Sequence, residues 1–326
     1  MVYFLPILGL TLIFGYLNSL NGAASIVATL VSSRAMSPRR AILLAALCMS
    51  AGPFLMGAAV AGTVGADMVA AQAQTSTVLA AALVGAIAWV LLTVRLKIPS
   101  STTQAFVGSL IGAVLIGFGE DAVLLPGVIK TLAALFLSPI LGIIGGYWLV
   151  KVCYRLSSHA GPRVNVWFKR GQVGMTAMLA LAYGANDGQK IMGILVFGLV
   201  ATKLVQGFQI PAWVVAFSAG TMMLGTILGS WSLIHTLGDK FYRVRPVHGF
   251  GAQVASGTIL LSASILGGPV SSSQVIASAI VGAGSAERVQ QVRWHTVTRI
   301  LSGWLLTLPI SALAGAGVYL LFSKVG

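Results

Sequence analysis

Two short polar phrases each occur twice in this otherwise apolar chain, at nearly the same spacing. Residues 15–21 (Gly-Tyr-Leu-Asn-Ser-Leu-Asn) recur in altered form as residues 184–190 (Gly-Ala-Asn-Asp-Gly-Gln-Lys), an offset of 169. Residues 99–104 (Pro-Ser-Ser-Thr-Thr-Gln) recur as residues 269–274 (Pro-Val-Ser-Ser-Ser-Gln), an offset of 170. Carboxylate and amide oxygens suit small cations, whereas hydroxyls and free N–H groups at helix starts suit oxyanions. One phrase for each ligand, paired across two copies, predicts a cation-coupled anion carrier.

Asp187 carries the strongest functional signal in these phrases. Of the six acidic residues, it alone falls inside an apolar segment, with Lys190 three residues later on the same helical face. A charge at this depth costs about 2.5–3.5 kcal/mol on insertion scales, so an ionisable group there indicates a functional site. The simpler alternative is a structural Asp187–Lys190 pair that neutralises itself. Asn186 and Gln189 favour function, because they add ligand-type groups that such a pair does not need.

The Pro-Ser/Thr phrases open two unusual apolar segments, 98–119 and 268–286. Each begins with Pro, continues with several hydroxyl side chains, and then becomes apolar and Gly-rich. Irregular backbone at membrane depth persists only where it lines a cavity or is buried in protein. We therefore expect broken or re-entrant helices whose first turns point hydroxyls and N–H groups at a ligand. The alternative is an ordinary helix start at which Pro and Ser/Thr serve only as caps.

The composition indicates a membrane protein. Of 326 residues, 57% are hydrophobic and 8% are charged, and the mean hydropathy is +0.94. A soluble domain carries about 25% charged residues. The net charge of +14 does not indicate nucleic-acid binding, because Lys and Arg lie mostly in short connections between apolar runs. The first stretch, residues 2–31, lacks the basic leader and cleavage site of a signal peptide, so we expect a retained span.

Ten apolar segments fill most of the chain. Most of them are long enough to cross a hydrocarbon core of about 30 Å. The ten segments are 2–31, 41–63, 76–94, 98–119, 122–150, 171–202, 211–236, 248–266, 268–286 and 294–322. The polar residues 151–170 separate the first five segments from the last five. Because each half has an odd number of segments, the second half must enter the membrane from the opposite side. The sequence thus predicts an all-α polytopic membrane protein with a first repeat (1–150), a basic cytoplasmic linker (151–170) and an inverted second repeat (171–326).

Basic residues predict the orientation of the chain. With the N-terminus outside, sixteen of the twenty Lys and Arg fall on or beside the inner face, as the positive-inside rule requires. These are Arg34, Arg39, Arg40, Arg95, Lys97, Lys151, Arg155, Arg163, Lys169, Arg170, Lys240, Arg243, Arg245, Arg288, Arg293 and Arg299. Lys203 and Lys324 fall outside, while Lys130 and Lys190 lie within apolar segments. We therefore expect both termini outside and the linker 151–170 in the cytoplasm.

Residues 184–193 (Gly-Ala-Asn-Asp-Gly-Gln-Lys-Ile-Met-Gly) resemble the second-repeat signature of the inorganic phosphate transporter (PiT) family. Residues 37–41 (Ser-Pro-Arg-Arg-Ala), residues 245–250 (Arg-Pro-Val-His-Gly-Phe) and both Pro-Ser/Thr phrases also match features of that family. The resemblance spans nearly the whole chain and both repeats. It implies an inverted-repeat helical carrier that moves phosphate together with sodium or protons.

The resemblance also implies a set of binding residues. The anion would be cradled by the hydroxyls of Ser101, Thr102, Thr103, Ser271, Ser272 and Ser273. The coupling cation, with sodium as one candidate, would be held by Asn18, Asn21, Asn186 and Asp187. We add Gln104, Gln274 and Lys190 to the anion set, as hydrogen-bonding groups and a cation. No cofactor is expected apart from the coupling ion.

Two departures from the family pattern bear on the ligands. The first copy in the family usually carries an Asn-Asp pair where this chain has Leu17 and Asn18, so one carboxylate is missing. The hydroxyl phrases of the family often end in His, whereas here they end in Gln104 and Gln274, and Gln does not titrate near neutral pH. Our hypothesis is that coupling uses fewer cations or that the anion differs, with sulfate as the main competitor.

The sequence therefore predicts a secondary active transporter that takes up inorganic phosphate across a plasma (inner) membrane, coupled to sodium or protons. A sulfate permease of the same fold and an uncoupled anion channel are the alternatives. An enzyme is not expected, because the chain has no His-Glu-x-x-His phrase and no second intramembrane carboxylate to partner Asp187. The expected partners are the oxyanion and the lipid bilayer, without nucleic acid. The small-residue spacing of Gly108 and Gly112 is compatible with a homo-oligomer but does not require one.

Overall fold

The computed structural model describes residues 4–96, 98–161, 163–237 and 245–325, which form α-helices joined by short helical turns and loops. The eleven α-helices of these residues are α1 (Phe4–Ser32), α2 (Pro38–Leu55), α3 (Ala59–Gly62), α4 (Ser76–Leu96), α5 (Thr102–Phe118), α6 (Leu125–Leu156), α7 (Val164–Ala201), α8 (Ala212–Leu237), α9 (Pro246–Leu266), α10 (Ser272–Glu287) and α11 (Trp294–Val325). Three basic residues that contribute to the predicted orientation, Lys97, Lys240 and Arg243, lie outside the described residues.

Six helices of the described residues are long and apolar enough to cross a membrane, namely α1, α4, α6, α8, α9 and α11. The bent unit formed by α2 and the helical stretch Ala59–Asp67 makes a seventh if it is counted as one span. Helix α5 is apolar but has only 17 residues. The all-helical, multi-pass architecture predicted from the sequence is therefore confirmed. The count of ten segments and the inverted relation of the two halves stay predictions.

The apolar segment 41–63 is divided in the structure. Helix α2 ends at Leu55, and the stretch Ala59–Asp67 lies at 75° to it. Pro53 lies inside α2 and lacks a backbone donor, and Gly57 adopts φ +70°, a conformation that residues with a Cβ rarely take. The apolar pattern predicts one segment here, and these two residues explain why the helix breaks within it.

Both hydroxyl-rich segments begin with non-helical backbone, as the Pro-Ser/Thr phrases predict. Residues 98–101 and 268–271 are not helical, and α5 and α10 begin only at Thr102 and Ser272. The residues immediately before the two helices, Ser101 and Ser271, are buried. The two helices therefore start inside the protein rather than at its surface.

Helix α7, which carries Asp187 and Lys190, is enclosed by other helices. Every residue from 182 to 199 is buried, and the helix packs against α1, α2, α8 and α9. The close approach of α2 depends on Gly184, because a Cβ there would overlap the backbone carbonyl of Met49. A helix buried on all sides must pair its polar groups with protein or ligand. Asp187 and Lys190 are in this position.

The helices of the two halves are interleaved. Helix α5 packs against α4 and α11, and α10 packs against α9 and α6. Glycines permit both crossings, because a Cβ at Gly112 would overlap the Ala312 carbonyl and one at Gly146 would overlap the Ala279 carbonyl. Exchanging α4, α5 and α6 for α9, α10 and α11 leaves this set of pairs unchanged. Such a pattern is expected of a duplicated unit.

Candidate functional site

The N-terminal ends of α5 and α10 meet inside the protein. Ser101 Oγ donates a hydrogen bond to Ser271 Oγ over 2.8 Å, and Gln274 Nε2 donates to Gln104 Oε1 over 3.0 Å. Each pair joins residues that are 170 positions apart, so equivalent positions of the two hydroxyl phrases contact each other. Helix N-termini carry partial positive charge and N–H groups without helical partners. Two such ends side by side favour an anion.

The two helix starts are capped differently. In α5, the side chain of Ser101 accepts from Gln104 N–H over 3.1 Å, as an N-cap does. In α10, Ser271 makes no side-chain cap, and the first backbone bond runs from Val275 N–H to the Ser271 carbonyl. Ser272 is only 2% exposed, and its hydroxyl has no partner among the described residues. The start of α10 therefore offers a set of donors that an oxyanion can use.

Asp187 and Lys190 form a buried ion pair beside these helix starts. The two residues are 1% and 4% exposed, and Lys190 Nζ donates to Asp187 Oδ1. The same ammonium donates to Thr103 Oγ1 over 3.0 Å and to the Val270 carbonyl. An ammonium has three N–H donors, so these contacts can use all of them. The pair expected from the sequence exists, and it also ties α7 to both hydroxyl phrases.

Asn18 and Asn186, two of the three asparagines of the predicted cation set, hydrogen-bond to the first residue of α5 and to the residue before Pro269. Asn18 is buried, its Oδ1 accepts from Thr102 Oγ1, and its backbone carbonyl accepts from Tyr183 over 3.3 Å. Asn186 Nδ2 donates to the Gly268 carbonyl over 3.1 Å. Asn186 Oδ1 is buried and has no partner among the described residues. A buried acceptor without a donor is suited to a cation, and the next residue in the chain is the buried Asp187.

Two predicted residues, Asn21 and Ser273, are more exposed than the cluster of helix starts, ion pair and asparagines described above. Asn21 is half-buried, and its backbone carbonyl accepts from Ser25 Oγ over 3.2 Å. Ser273 is also half-buried. No hydrogen bond described for these residues joins either side chain to the cluster. Their assignment to the cation and the anion stays a prediction.

The sequence marks Gln189 as a ligand-type group and gives no sign of the backbone carbonyls that bind the cluster, whereas the structure uses both to hold the site in place. Gln189 accepts from Val60 N–H over 2.8 Å and donates to the Met56 carbonyl over 3.1 Å, so it satisfies the backbone at the break between α2 and α3. The carbonyls of Gly268 and Val270 serve Asn186 and Lys190. The repeated phrase therefore identified Gln189 but not its structural role. The carbonyl acceptors had no signal, because backbone groups leave no mark in a sequence.

Comparison with known proteins decides the family. The profile of the phosphate transporter family matches residues 18–315, which include every residue of the cluster described above. The chain belongs to the phosphate transporter family. It is 38% identical over 320 residues to the "Probable low-affinity inorganic phosphate transporter" of Bacillus subtilis (strain 168), covering 96% of this chain and 95% of that protein. The protein of the same name from Rhizobium meliloti (strain 1021) is 35% identical over 315 residues, covering 96% and 94%.

A solved structure supports the fold of this phosphate transporter family member. The structure described as "The sodium-dependent phosphate transporter" superposes with a TM-score of 0.90 and covers 100% of both chains at 20% identity. At this identity the match establishes the fold alone. The family resemblance drawn from residues 184–193 and the hydroxyl phrases is thus confirmed by independent comparisons.

The structure also shows how this family member accommodates its departure at positions 17 and 18. Leu17 packs against an apolar cluster that includes Phe14 and Phe106. Asn18 accepts from the Thr102 hydroxyl, a role that a neutral amide oxygen fills without a charge. The first-half phrase therefore contributes structure and hydrogen bonding here, and the buried carboxylate comes from Asp187 in the second half.

Proposed function

We propose that this chain is a secondary active transporter that takes up inorganic phosphate, driven by a sodium or proton gradient. The observation that carries the proposal is the uncapped start of α10, where the buried Ser272 hydroxyl has no partner among the described residues. A tetrahedral oxyanion supplies the acceptors that this hydroxyl and the first-turn N–H groups need. Family membership, and the names of the relatives from B. subtilis and R. meliloti, support phosphate as that anion.

We call the start of α10, with the Ser272 hydroxyl and the first-turn N–H groups, the anion seat. Cation coupling is supported by the oxygens of Asn186 and Asp187. Asn186 Oδ1 lacks a partner among the described residues, and the adjacent Asp187 supplies a buried carboxylate. A cation held there would offset the charge of the incoming anion, so that each ligand would raise the affinity for the other. This mutual dependence is the physical basis of symport. It is compatible with either sodium or a proton as the coupling ion.

A cavity of about 350 Å³ between α6 and α9 supports a path to the site. Its wall includes Gly268 and Val270, whose carbonyls accept from Asn186 and Lys190. Lys130 also lines this cavity. We infer that movement around the connection between α9 and α10 exposes the buried ligands to one side of the membrane at a time. The two repeats, 1–150 and 171–326, would be the moving parts.

The proposal predicts that purified protein in liposomes accumulates radiolabelled phosphate when a sodium or pH gradient is imposed. Ser272→Ala should lower the initial uptake rate about tenfold, because it removes a buried donor that the anion would use. Ser285→Ala is the matched control, since Ser285 lies on the same helix and donates locally to the Val281 carbonyl over 2.9 Å. Equal uptake rates for Ser272→Ala and the wild type would show that the start of α10 does not bind the transported anion.

The same assay separates the two alternatives. Robust gradient-driven uptake of sulfate with undetectable uptake of phosphate would identify a sulfate permease. Phosphate flux that does not depend on any cation gradient would identify an uncoupled channel, because a pore does not use the energy of a second ion. Either result would replace the proposal.

Orientation is part of the proposal and has its own test. In a background with Cys48→Ala and Cys153→Ala, an impermeant thiol reagent applied to intact cells should label Ser323→Cys and leave Ser158→Cys unlabelled. Ser158 lies in the linker 151–170 and Ser323 near the C-terminus, and both are exposed. Permeabilised cells should label both positions, which controls for reactivity. Labelling of Ser158→Cys in intact cells would place the linker outside and contradict the positive-inside assignment.

A further inference from the structure

We propose that Gln274 makes the anion seat selective for oxyanions that carry a proton, so that hydrogen phosphate is accepted and sulfate is rejected. The inference rests on the proposed function, since it assumes that the seat at the start of α10 binds the transported anion. It adds a residue that discriminates between two ions of similar shape. The chemical feature that Gln274 would recognise is the proton on the oxyanion.

The free acceptor is located by the hydrogen bond between the two glutamines. Gln274 is the third residue of α10, is 1% exposed, and uses Nε2 to donate to Gln104 Oε1 over 3.0 Å. Its Oε1 is buried and has no partner among the described residues. Because Nε2 bridges the two helix starts, Oε1 on the same amide carbon lies at the same junction. The unpartnered Ser272 hydroxyl is two residues away on the same turn.

The contact between the two glutamines excludes an exchange of amide N and O in either one alone. Exchanging N and O in Gln274 alone would bring two oxygens together, and exchanging them in Gln104 alone would bring two nitrogens together. Exchanging them in both would restore a single bond but would leave the oxygen of Gln104, not that of Gln274, outside it, and the Gln104→Met variant below distinguishes these two arrangements. A buried carbonyl oxygen without a donor costs about 1–3 kcal/mol. The seat therefore calls for a ligand that brings a donor to this oxygen.

Phosphate can supply that donor and sulfate cannot. At neutral pH inorganic phosphate retains at least one P–OH group, whereas sulfate has lost both protons and offers only acceptors. Hydrogen phosphate and sulfate carry the same charge, so Lys190 and the helix ends cannot separate them by electrostatics. A sulfate oxygen would face the lone pairs of Gln274 Oε1. A site built to accept a hydrogen bond from its substrate rejects the analogue that lacks the donor, by far more than a shape difference allows.

The neutral amide also explains how the seat can hold an anion next to an acceptor. A carboxylate at position 274 would repel the ligand, and a titrating group would make recognition depend on the pH of the protein side chain. An amide oxygen accepts the P–OH hydrogen without adding charge. The bound amide of Gln104 fixes the side chain in place, which lowers the entropy cost of recognition.

Arsenate and selenate provide the sharpest test, because they are close in size and at mildly alkaline pH both are divalent, but only arsenate keeps a proton. Competition against radiolabelled phosphate uptake by the purified transporter in liposomes gives the ratio of their inhibitory concentrations. The wild type should be inhibited by arsenate and by unlabelled phosphate far more strongly than by selenate and sulfate. In Gln274→Met, which keeps the shape and removes the acceptor, the arsenate-to-selenate preference should fall about tenfold or more.

Two further variants identify the oxygen as the cause. Gln274→Glu keeps an acceptor but adds a negative charge, so it should bind both anions more weakly while arsenate still competes better than selenate. Gln104→Met removes the neighbouring amide but leaves Gln274 Oε1, so it should retain most of the preference. If Gln274→Met transports too weakly for competition, the shift in Tm of the detergent-purified protein with each anion gives the same ratio. An unchanged preference in Gln274→Met, or an equal loss in Gln104→Met, would overturn the inference.

The failure of this inference and the failure of the proposed function give different results. If the wild type transports phosphate and Gln274→Met keeps the full preference, only the role of Gln274 is wrong. If the wild type transports sulfate and not phosphate, the proposed function is wrong whatever Gln274 does.

Discussion

Asp187→Asn should lower gradient-driven accumulation of phosphate by about 100-fold or more. The substitution keeps the size of the side chain but leaves the Lys190 ammonium buried without its counter-charge. Removing one partner of a buried pair costs about 3–5 kcal/mol, which corresponds to a factor of about 10² to 10⁴ in an equilibrium constant. It also removes the carboxylate proposed to hold the coupling cation. Accumulation of labelled phosphate in liposomes under imposed sodium and pH gradients measures the effect.

A double variant separates the two roles of Asp187. In Asp187→Asn with Lys190→Gln both charges are absent, so the stability lost in the single variant should largely return, as a rise in Tm. Accumulation should stay low, because the cation ligand is still missing. Asp67→Asn makes the same chemical change at an exposed acid and should leave uptake near the wild-type level. Wild-type accumulation by the single variant would show that Asp187 neither couples the ions nor balances a needed charge.

Gly112→Val should destabilise the folded protein by about 3 kcal/mol and lower the Tm by roughly 5–10 °C. A Cβ at this position would overlap the backbone carbonyl of Ala312, so neither a rotamer change nor a small side-chain shift relieves the clash. The contact joins α5 to α11, and α5 carries Ser101 and Gln104 at its start. Displacing α5 would therefore also move the anion seat. Thermal unfolding in detergent, with size-exclusion chromatography, measures the loss.

Gly220→Val is the matched control for this substitution. Gly220 is an exposed residue of α8, and a Cβ there would meet no atom within 4 Å. The loss of Tm in Gly220→Val should be several degrees smaller than the loss in Gly112→Val. Similar losses in the two variants would mean that valine in a helix, rather than the crossing of α5 and α11, causes the destabilisation.

Much of the architecture follows from local chemistry, which is why the sequence predicts it. Burial in lipid requires long apolar helices, so composition alone indicates a multi-pass helical protein. Pro at positions 99 and 269 cannot continue a helix from the preceding residues, and the hydroxyls that follow favour helix starts. The structure accordingly begins α5 at Thr102 and α10 at Ser272. The break after Leu55 was missed because the apolar pattern continues through it.

The repeated phrases also predict which residues should share a site, and the structure brings most of them together. Equal spacing in the two halves indicates that equivalent positions are related, and the contacts of Ser101 with Ser271 and of Gln104 with Gln274 agree with this. Asp187 stands out from sequence alone because a charge in an apolar segment is costly. Asn21 was not separable from Asn18, since both belong to the same phrase and only packing decides which faces the interior.

What the sequence determined by itself is therefore the class of protein, the family and the residue types at the site, since hydropathy and motif chemistry are local properties. Only the tertiary structure decided how these groups are used. It assigned the donors of Lys190 to Asp187, Thr103 and the Val270 carbonyl, capped α5 but not α10, and left Gln274 Oε1 without a described partner. Hydrogen-bond satisfaction depends on which groups from distant parts of the chain come within about 3 Å of each other, and no local pattern encodes that.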